Sequence, residues 1–230
     1  IISFALKAAG LSLVRGDIVV IAQKIVSKAE NRYLALHDVT PGPEAQRLAL
    51  EIGKDARYVE VVLSESEKVV RTRPNVMIVA HRLGFVMANA GVDQSNIEHT
   101  DGERVLLLPR DPDRSAARLK TAFDQVFGAG VGVIINDSFG RPWRRGVTGV
   151  AIGAAGVPSL VDRVGEKDIF GRTLRATEIA VADEIAAGAS LLMGQSSERT
   201  PVVVVRGFAL DAPPQPASSL IRPADTDMFR

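Results

Sequence analysis

Three apolar runs constrain this chain more than any other feature: "DIVVIA" from Asp17, "VGVIIN" from Val131 and "PVVVV" from Pro201. They are short, unbroken and rich in β-branched residues, so they read as buried strands. Helical patterns lie between them, but strands and helices do not alternate strictly. The expected fold class is therefore α+β, a mixed β-sheet with flanking helices, rather than a doubly wound sheet.

The chain's 230 residues are enough for one sizeable domain or two small ones. With 46% hydrophobic and 24% charged residues, a soluble globular protein is expected. A net charge of +1 supplies no global basic field, so no nucleic-acid partner is expected. Cysteine is absent, which excludes disulfides, thiolate metal sites and cysteine nucleophiles and agrees with a cytoplasmic location. No apolar run approaches the ~20 residues that cross a bilayer, so no membrane partner is expected. The chain opens on Ile1 with a pattern already helical, and a missing N-terminal piece is expected. Residues 1–210 read as the folded domain, and "DAPPQPASSLIRPADTDMFR" (211–230) reads as a C-terminal tail or the start of a linker.

Along the chain, "SFALKAAGLSLVRG" has helical spacing with a stop at Gly16, and "PGPEAQRLALEIGKDARYVEVVLSESE" reads as one or two amphipathic helices. "NVMIVAHRLGFVMANAG" reads as two strands turning near Arg82–Gly84. Asp111 and Pro112 form a cap and first-position pair for a helix that Gly128 stops. "ATEIAVADEIAAGASLLMG" is a second strong helix, on which Asp183 and Glu184 read as a solvated face.

Four stretches carry residues suited to chemistry. In "GVIINDSFGRPWRRG" an apolar strand ends on Asp137 and three arginines follow. A carboxylate where a buried strand meets a loop suits a hard cation, Ser138 adds an oxygen, and Arg141, Arg144 and Arg145 suit phosphate oxygens. The alternative is a turn cap followed by solvated arginines. "ANAGVDQSN" repeats the theme with Asp93, and the two aspartates could meet over one divalent ion that also holds a triphosphate; an ordinary Asn/Gly/Asp loop is the alternative. In "AQKIVSKAEN", if the strand continues, Lys24 and Lys28 share one face and call for an anion between them; an edge strand protected by lysines is the alternative. "LLMGQSSERT" offers Gln195, Ser196 and Ser197 beside Gly194, or is a plain helix-stop loop. No P-loop pattern is present. His37, His81 and His99 have no partner at metal-ligand spacing. Trp143 is expected to pack beneath the arginine loop; stacking on a flat heteroaromatic ring is the alternative.

Taken in order, "GDIVVIAQKIVSKAEN", "GFVMANAGVDQSN", "INDSFGRPWRRGVTGVAIGAAG" and "ADEIAAGASLLMGQ…TPVVVVRG" resemble the coenzyme F420-0:L-glutamate ligase family, the F420 γ-glutamyl ligases. The resemblance runs from about Gly16 to Gly207 and extends to "LIRPADTDMF". It implies an intertwined homodimer that uses GTP with Mn²⁺ or Mg²⁺, and often K⁺, to join L-glutamate to the deazaflavin F420-0. By position, Asp93 and Asp137 look like metal ligands at the catalytic centre, with Ser138 and Gln195 at a second ion. Gln23, Lys24, Lys28 and Asn96 look like GTP contacts, as does the loop with Met193, Gly194, Gln195 and Ser196. The arginines at 141, 144 and 145 would hold phosphate or the acidic part of the substrate. Family members usually begin with a further strand and a Pro-Glu loop at the nucleotide. Some bacterial members continue into a flavin-binding reductase-like domain, so a bacterial type or such an N-terminal domain is expected. The reaction implied is phosphorylation of a substrate carboxylate by GTP, then amide formation. The alternatives are another nucleotide- and metal-dependent carboxylate–amine ligase on the same scaffold, or a dimer that binds a phosphorylated ligand without turning it over.

Overall fold

The computed structural model describes residues 1–99, 102–209 and 211–228. In chain order they form α1 (Ile2–Ala8), β1 (Ile18–Ala22), α2 (Gln23–Ala29), β2 (Tyr33–Ala35), α3 (Pro43–Ile52), α4 (Ala56–Ser64), β3 (Ser66–Arg73), β4 (Val76–His81), β5 (Val86–Ala88) and β6 (Arg104–Leu106). There follow α5 (Pro112–Phe127), β7 (Gly132–Arg141), β8 (Arg144–Ala155), β9 (Val161–Asp162), β10 (Glu178–Ile179), α6 (Val181–Met193) and β11 (Val202–Val205). The fold is α+β, as the sequence led us to expect. Residues 1–23, 111–138 and 147–222 make one compact unit, and residues 24–110, 139–146 and those from Pro223 on make a second.

The first unit is built on the three apolar runs. They become β1, β7 and β11 of a four-stranded mixed sheet in the order β11-β1-β7-β8. β1 runs antiparallel to β11 and parallel to β7, with Ile18 opposite Gly132 and Ala22 opposite Asn136. Val19, Val20, Ile21, Val133, Ile134 and Ile135 are wholly buried, which accounts for the lack of polar alternation. One face of the sheet packs on α6 through Ala182, Ala186, Ala189 and Met193, spaced four, three and four apart so that they share one helical face. Alanine on that face lets the helix come close. α5 has the expected ends: Asp111 accepts from Arg114 N–H, Pro112 is the first helical residue, and Gly128 closes it in the left-handed conformation. Its first turn also holds the C-terminal segment, because Asp113 Oδ1 accepts from Ala154 N–H and Ala217 N–H.

In the second unit the 41–67 stretch divides into α3 and α4 at Gly53, whose φ of 71° suits glycine. Leu48, Ile52, Val59 and Val62 bury one side of this pair with Met77 and Val79 of the β3-β4-β5 sheet. β3 follows α4 directly where the pattern suggested more helix. Its charged residues are exposed, so it carried no apolar run to announce it.

Five further expectations are corrected. The first strand stops at Ala22 and residues 23–29 are helical, so Lys24 and Lys28 share a helical face, not a strand face. β7 does not end at Asp137 but continues to Arg141 and turns at Pro142 and Trp143 into β8, so the arginines flank a hairpin turn. Trp143, at the turn with φ 62°, is 89% exposed and packs beneath nothing. Asp183 is not solvated, since its Oδ1 accepts from Ala151 N–H and burial pushes its carboxyl up. The N-terminal helix is also shorter than the pattern, ending at Ala8.

Candidate active site

The sheet register of the first unit gathers several candidate residues at one edge. Ala22 is the last residue of β1 and lies opposite Asn136. Gln23 and Asp137 therefore leave the parallel pair at the same level, beyond the C-terminal end of β1. The carboxyl ends of parallel strands are the common place for ligands in such sheets. β11 runs the other way, with Val202 opposite Ile21, so the loop from Gly194 to Thr200 enters the sheet at this edge too. Gln23 is buried, Asp137 half-buried, and Ser138 and Gln195 exposed.

Two of these residues touch. Ser138 Oγ donates to Gln195 Oε1 over 2.6 Å. The contact pairs a strand hydroxyl with a loop amide and leaves hard oxygen donors side by side, the donor chemistry that Mg²⁺ and Mn²⁺ prefer. Beside it, the N–H groups of residues 195–198 gather on the Glu198 carboxylate, Ser196 N–H at 2.8 Å, and hold that carboxyl below its usual range. This loop therefore presents backbone donors to an anion, the chemistry a phosphate needs. Glu198 was not singled out in the sequence, where it reads as one more charge in a polar loop.

The second unit holds the other candidates. Lys24 Nζ lies 2.8 Å from Asp93 Oδ2, with about a quarter of each side chain exposed. Burial pushes the Asp93 carboxyl up while Lys24 acts against it. A carboxylate this enclosed that already carries a cation fits a site for a divalent ion. One helical turn on, Lys28 Nζ donates to the Asn96 carbonyl at 2.7 Å. Lys24, Lys28, Asp93 and Asn96 are thus brought together pairwise. Among the described residues no three His, Asp or Glu side chains converge in a metal-holding group, so side-chain hydroxyl and amide oxygens are needed to complete any coordination shell.

Asp93 is held by its backbone rather than by its own loop. Its N–H and C=O both bond Leu106, at 2.9 Å each. Just before it, the Val92 carbonyl accepts from the buried Tyr58 hydroxyl at 2.9 Å. Gly91, at φ 64°, has the left-handed backbone that favours glycine, and a Cβ there would press on the side-chain ends of Met87 at 2.8 Å and Leu108 at 2.9 Å. Tyr58 lies in the helical stretch before the strands, and only the tertiary fold brings it to Asp93.

The hairpin arginines Arg141, Arg144 and Arg145 are all exposed. At its base Phe139 meets the Phe85 ring edge-on, centroids 5.8 Å apart. The second unit also holds a largely buried charge cluster. Glu65 Oε2 accepts from Arg32 at 3.1 Å and Arg82 at 2.9 Å, while the fully buried His81 ring stands 3.7 Å away, beyond hydrogen-bond reach. Burial pushes the Glu65 carboxyl up, but His81, Arg82 and Arg32 together outweigh it and bring it down to about 2.

Comparison with known proteins places these residues in a context. A family model described as F420-0:Gamma-glutamyl ligase matches residues 1–207. A coenzyme F420:L-glutamate ligase of Methanopyrus kandleri is 46% identical over 227 residues, which is 97% of this chain and 89% of that protein. The protein of the same name in Methanothermobacter thermautotrophicus is 45% identical over 98% of this chain and 89% of its own length. One from Archaeoglobus fulgidus is 46% identical over 84% and 76%.

Proposed function

Because the chain belongs to the F420-0:gamma-glutamyl ligase family, we propose that it forms the amide bond between L-glutamate and coenzyme F420-0, driven by GTP. The observation that carries this reading is the match over residues 1–207, which includes every candidate side chain. No helix among the described residues is long and apolar enough to cross a membrane.

The chemistry is a phosphoryl transfer followed by an acyl transfer. The substrate carboxylate attacks the γ-phosphorus of GTP, the bond to the β-phosphate oxygen breaks, and GDP leaves with an acyl phosphate formed. The glutamate amine then attacks the acyl carbon, the C–O bond to phosphate breaks, and inorganic phosphate and a proton are released. Neither step needs a serine, cysteine or histidine nucleophile. The first step brings several negative charges together, so the protein's task is to position and offset them.

In this reading Asp93, Asp137, Ser138 and Gln195 hold Mn²⁺ or Mg²⁺. The ions would supply electrostatic stabilisation of the phosphate oxygens. Lys24 and Lys28 are cations on α2 that pair with phosphate oxygens. Gln23, Asn96 and the loop Met193–Ser196 hold the rest of GTP. Arg141, Arg144 and Arg145, being exposed on a hairpin, suit the acidic part of an incoming substrate or phosphate. The homodimer belongs to the same proposal. The exposed tip residues Ile169 and Phe170, beyond the β9–β10 pair, are apolar surface that a second copy would cover.

The test is direct. The chain is incubated with F420-0, L-glutamate, GTP and Mn²⁺ or Mg²⁺, with and without K⁺, and phosphate release and product mass are followed. Glutamate-dependent phosphate release with a product one glutamate heavier supports the proposal. Release of neither, or the same turnover with ATP and unrelated carboxylates, overturns it. Light scattering at several concentrations reads the dimer.

A further inference from the structure

Asn136 precedes Asp137 in β7, and its side chain shares a sheet face with that of Ser138, two residues on. It is 5% exposed. Its Nδ2 donates to Ser190 Oγ at 2.9 Å and approaches Met193 Sδ at 3.4 Å, both in the last turn of α6. Ser138 then meets Gln195, two residues beyond that helix. Two successive same-face positions of one strand thus grip the end of one helix and the loop that leaves it. The inner contact is buried and the outer one exposed.

The inner contact is an uneasy choice for stability alone. Among the described residues Asn136 Oδ1 has no hydrogen-bond partner. Leaving a buried carbonyl oxygen unpaired costs about 1–3 kcal/mol, which a leucine of similar size would avoid. The neighbouring strand yields room as well: at Gly149 a Cβ would lie 2.4 Å from Ser190 Oγ and from the Ala186 carbonyl, and 2.7 Å from Asn136 Oδ1. Strand and helix are fitted closely around a polar contact that a plain core would not contain. Local departures of this kind mark positions kept for function.

We infer that Asn136 is a positioning residue, which fixes the last turn of α6 against β7 so that Gln195 stays beside Ser138 and the pair is ready for a divalent metal bound with nucleotide. The inference rests on the proposed role of Ser138 and Gln195 as metal ligands. It assigns Asn136 no contact with substrate. The group acts through Gln195, and its removal loosens the ligand pair rather than the fold.

The experiment measures Mn²⁺ binding in the presence of GDP, by electron paramagnetic resonance titration, together with thermal unfolding. The variants are Asn136→Leu, Ser190→Ala, Ser138→Ala, Gln195→Ala and the double variant Asn136→Leu/Gln195→Ala. Asn136→Leu should melt no lower than the parent protein yet bind Mn²⁺ about tenfold or more weakly, the range usual for residues that orient metal ligands. The double variant should bind no more weakly than Gln195→Ala alone, because both changes remove one contribution. Parent-like binding by Asn136→Leu while Gln195→Ala is impaired overturns this inference alone, as does an additive double variant or a loss that follows only a lowered melting temperature. Parent-like binding by Ser138→Ala and Gln195→Ala overturns the metal reading and this inference with it. Should Asn136→Leu not fold, Ser190→Ala, which removes the hydroxyl that Asn136 grips, carries the same expectations.

Discussion

Lys24 Nζ and Asp93 Oδ2 stand 2.8 Å apart, a pair in which each charge is about three-quarters enclosed. The ammonium opposes the upward push of burial on the carboxyl without cancelling it, and it would compete with a divalent ion for the same oxygens. Lys24→Met should therefore have opposite effects on metal and on nucleotide. At pH 8, where ionisation of Asp93 is most favoured, the competing cation is gone and Mn²⁺ should bind up to about tenfold more tightly, or ~1.4 kcal/mol. Without Lys24 the carboxyl titrates still higher, so the advantage should shrink as pH falls. GDP should bind more weakly at both pH values. Mn²⁺ and GDP titrations by calorimetry at two pH values read all three effects, and unchanged Mn²⁺ binding at pH 8 would show that Lys24 does not contest the site.

The Glu65 cluster sets an acid limit on the second unit. The carboxyl falls from its usual 4.5 to about 2 in the folded chain. A folded-state value below the unfolded one stabilises above pH 4.5, and that contribution is lost as pH falls through about 2. The shift corresponds to a contribution on the order of 3 kcal/mol. Glu65→Gln leaves Arg32 buried without its counter-charge and should cost about 3–5 kcal/mol at pH 7. The gap between parent and variant should narrow steadily between pH 4.5 and pH 2. Urea unfolding across that range checks it, and a constant gap would remove Glu65 as the titrating group.

Tyr58 offers a way to disturb Asp93 without touching it. Tyr58→Phe removes the donor to the buried Val92 carbonyl and should cost about 1–3 kcal/mol, the usual penalty of an orphaned acceptor. If this hydroxyl anchors the Asp93 segment, Mn²⁺ binding should also weaken several-fold, since Val92 adjoins Asp93, the proposed ligand. Urea unfolding and Mn²⁺ titration on one preparation separate the effects, and a stability loss with unchanged metal affinity would confine Tyr58 to the core.

What could be read from the chain, and what could not, follows the same division. The runs at Ile18–Ala22 and Gly132–Ile135 declared their strands because burial on both faces left no polar interruption, and Val202–Val205, only partly buried, declared its strand by four successive β-branched residues. Asp111, Pro112 and Gly128 declared α5 by local capping chemistry. Lys24 and Lys28 were found as candidates but placed on the wrong element, because "QKIVSKA" carries β-branched residues into a helix. Trp143 was expected to pack beneath the arginine loop, and a tight hairpin turn put it outside. Tyr58, Asn136 and Glu198 were missed for one reason: each acts through a partner distant in sequence or through backbone groups, and no local pattern records that. The two halves of "ANAGVDQSN" and "AQKIVSKAEN" show the same limit, since each gives half of a pair that only folding assembles.

Two glycines near α6 should respond oppositely to the same substitution. Gly149 lies on β8 where a Cβ would come within 2.4 Å of the Ala186 carbonyl and of Ser190 Oγ. One contact is with helix backbone, which cannot swing aside, so Gly149→Ala must push α6 from the sheet. Overpacking of this kind costs about 1–3 kcal/mol or more. It should also weaken Mn²⁺ binding, because the displaced turn carries Ser190 and Met193, the partners of Asn136. Gly188 lies within α6 and a Cβ there meets nothing within 4 Å. Gly188→Ala removes only the backbone freedom of glycine in the unfolded chain and should stabilise by about 0.5–1 kcal/mol with metal binding unchanged. Thermal unfolding of both variants and of their combination checks the pair. A stable Gly149→Ala protein with full metal affinity would mean that the close approach of α6 to β8 does not govern the site.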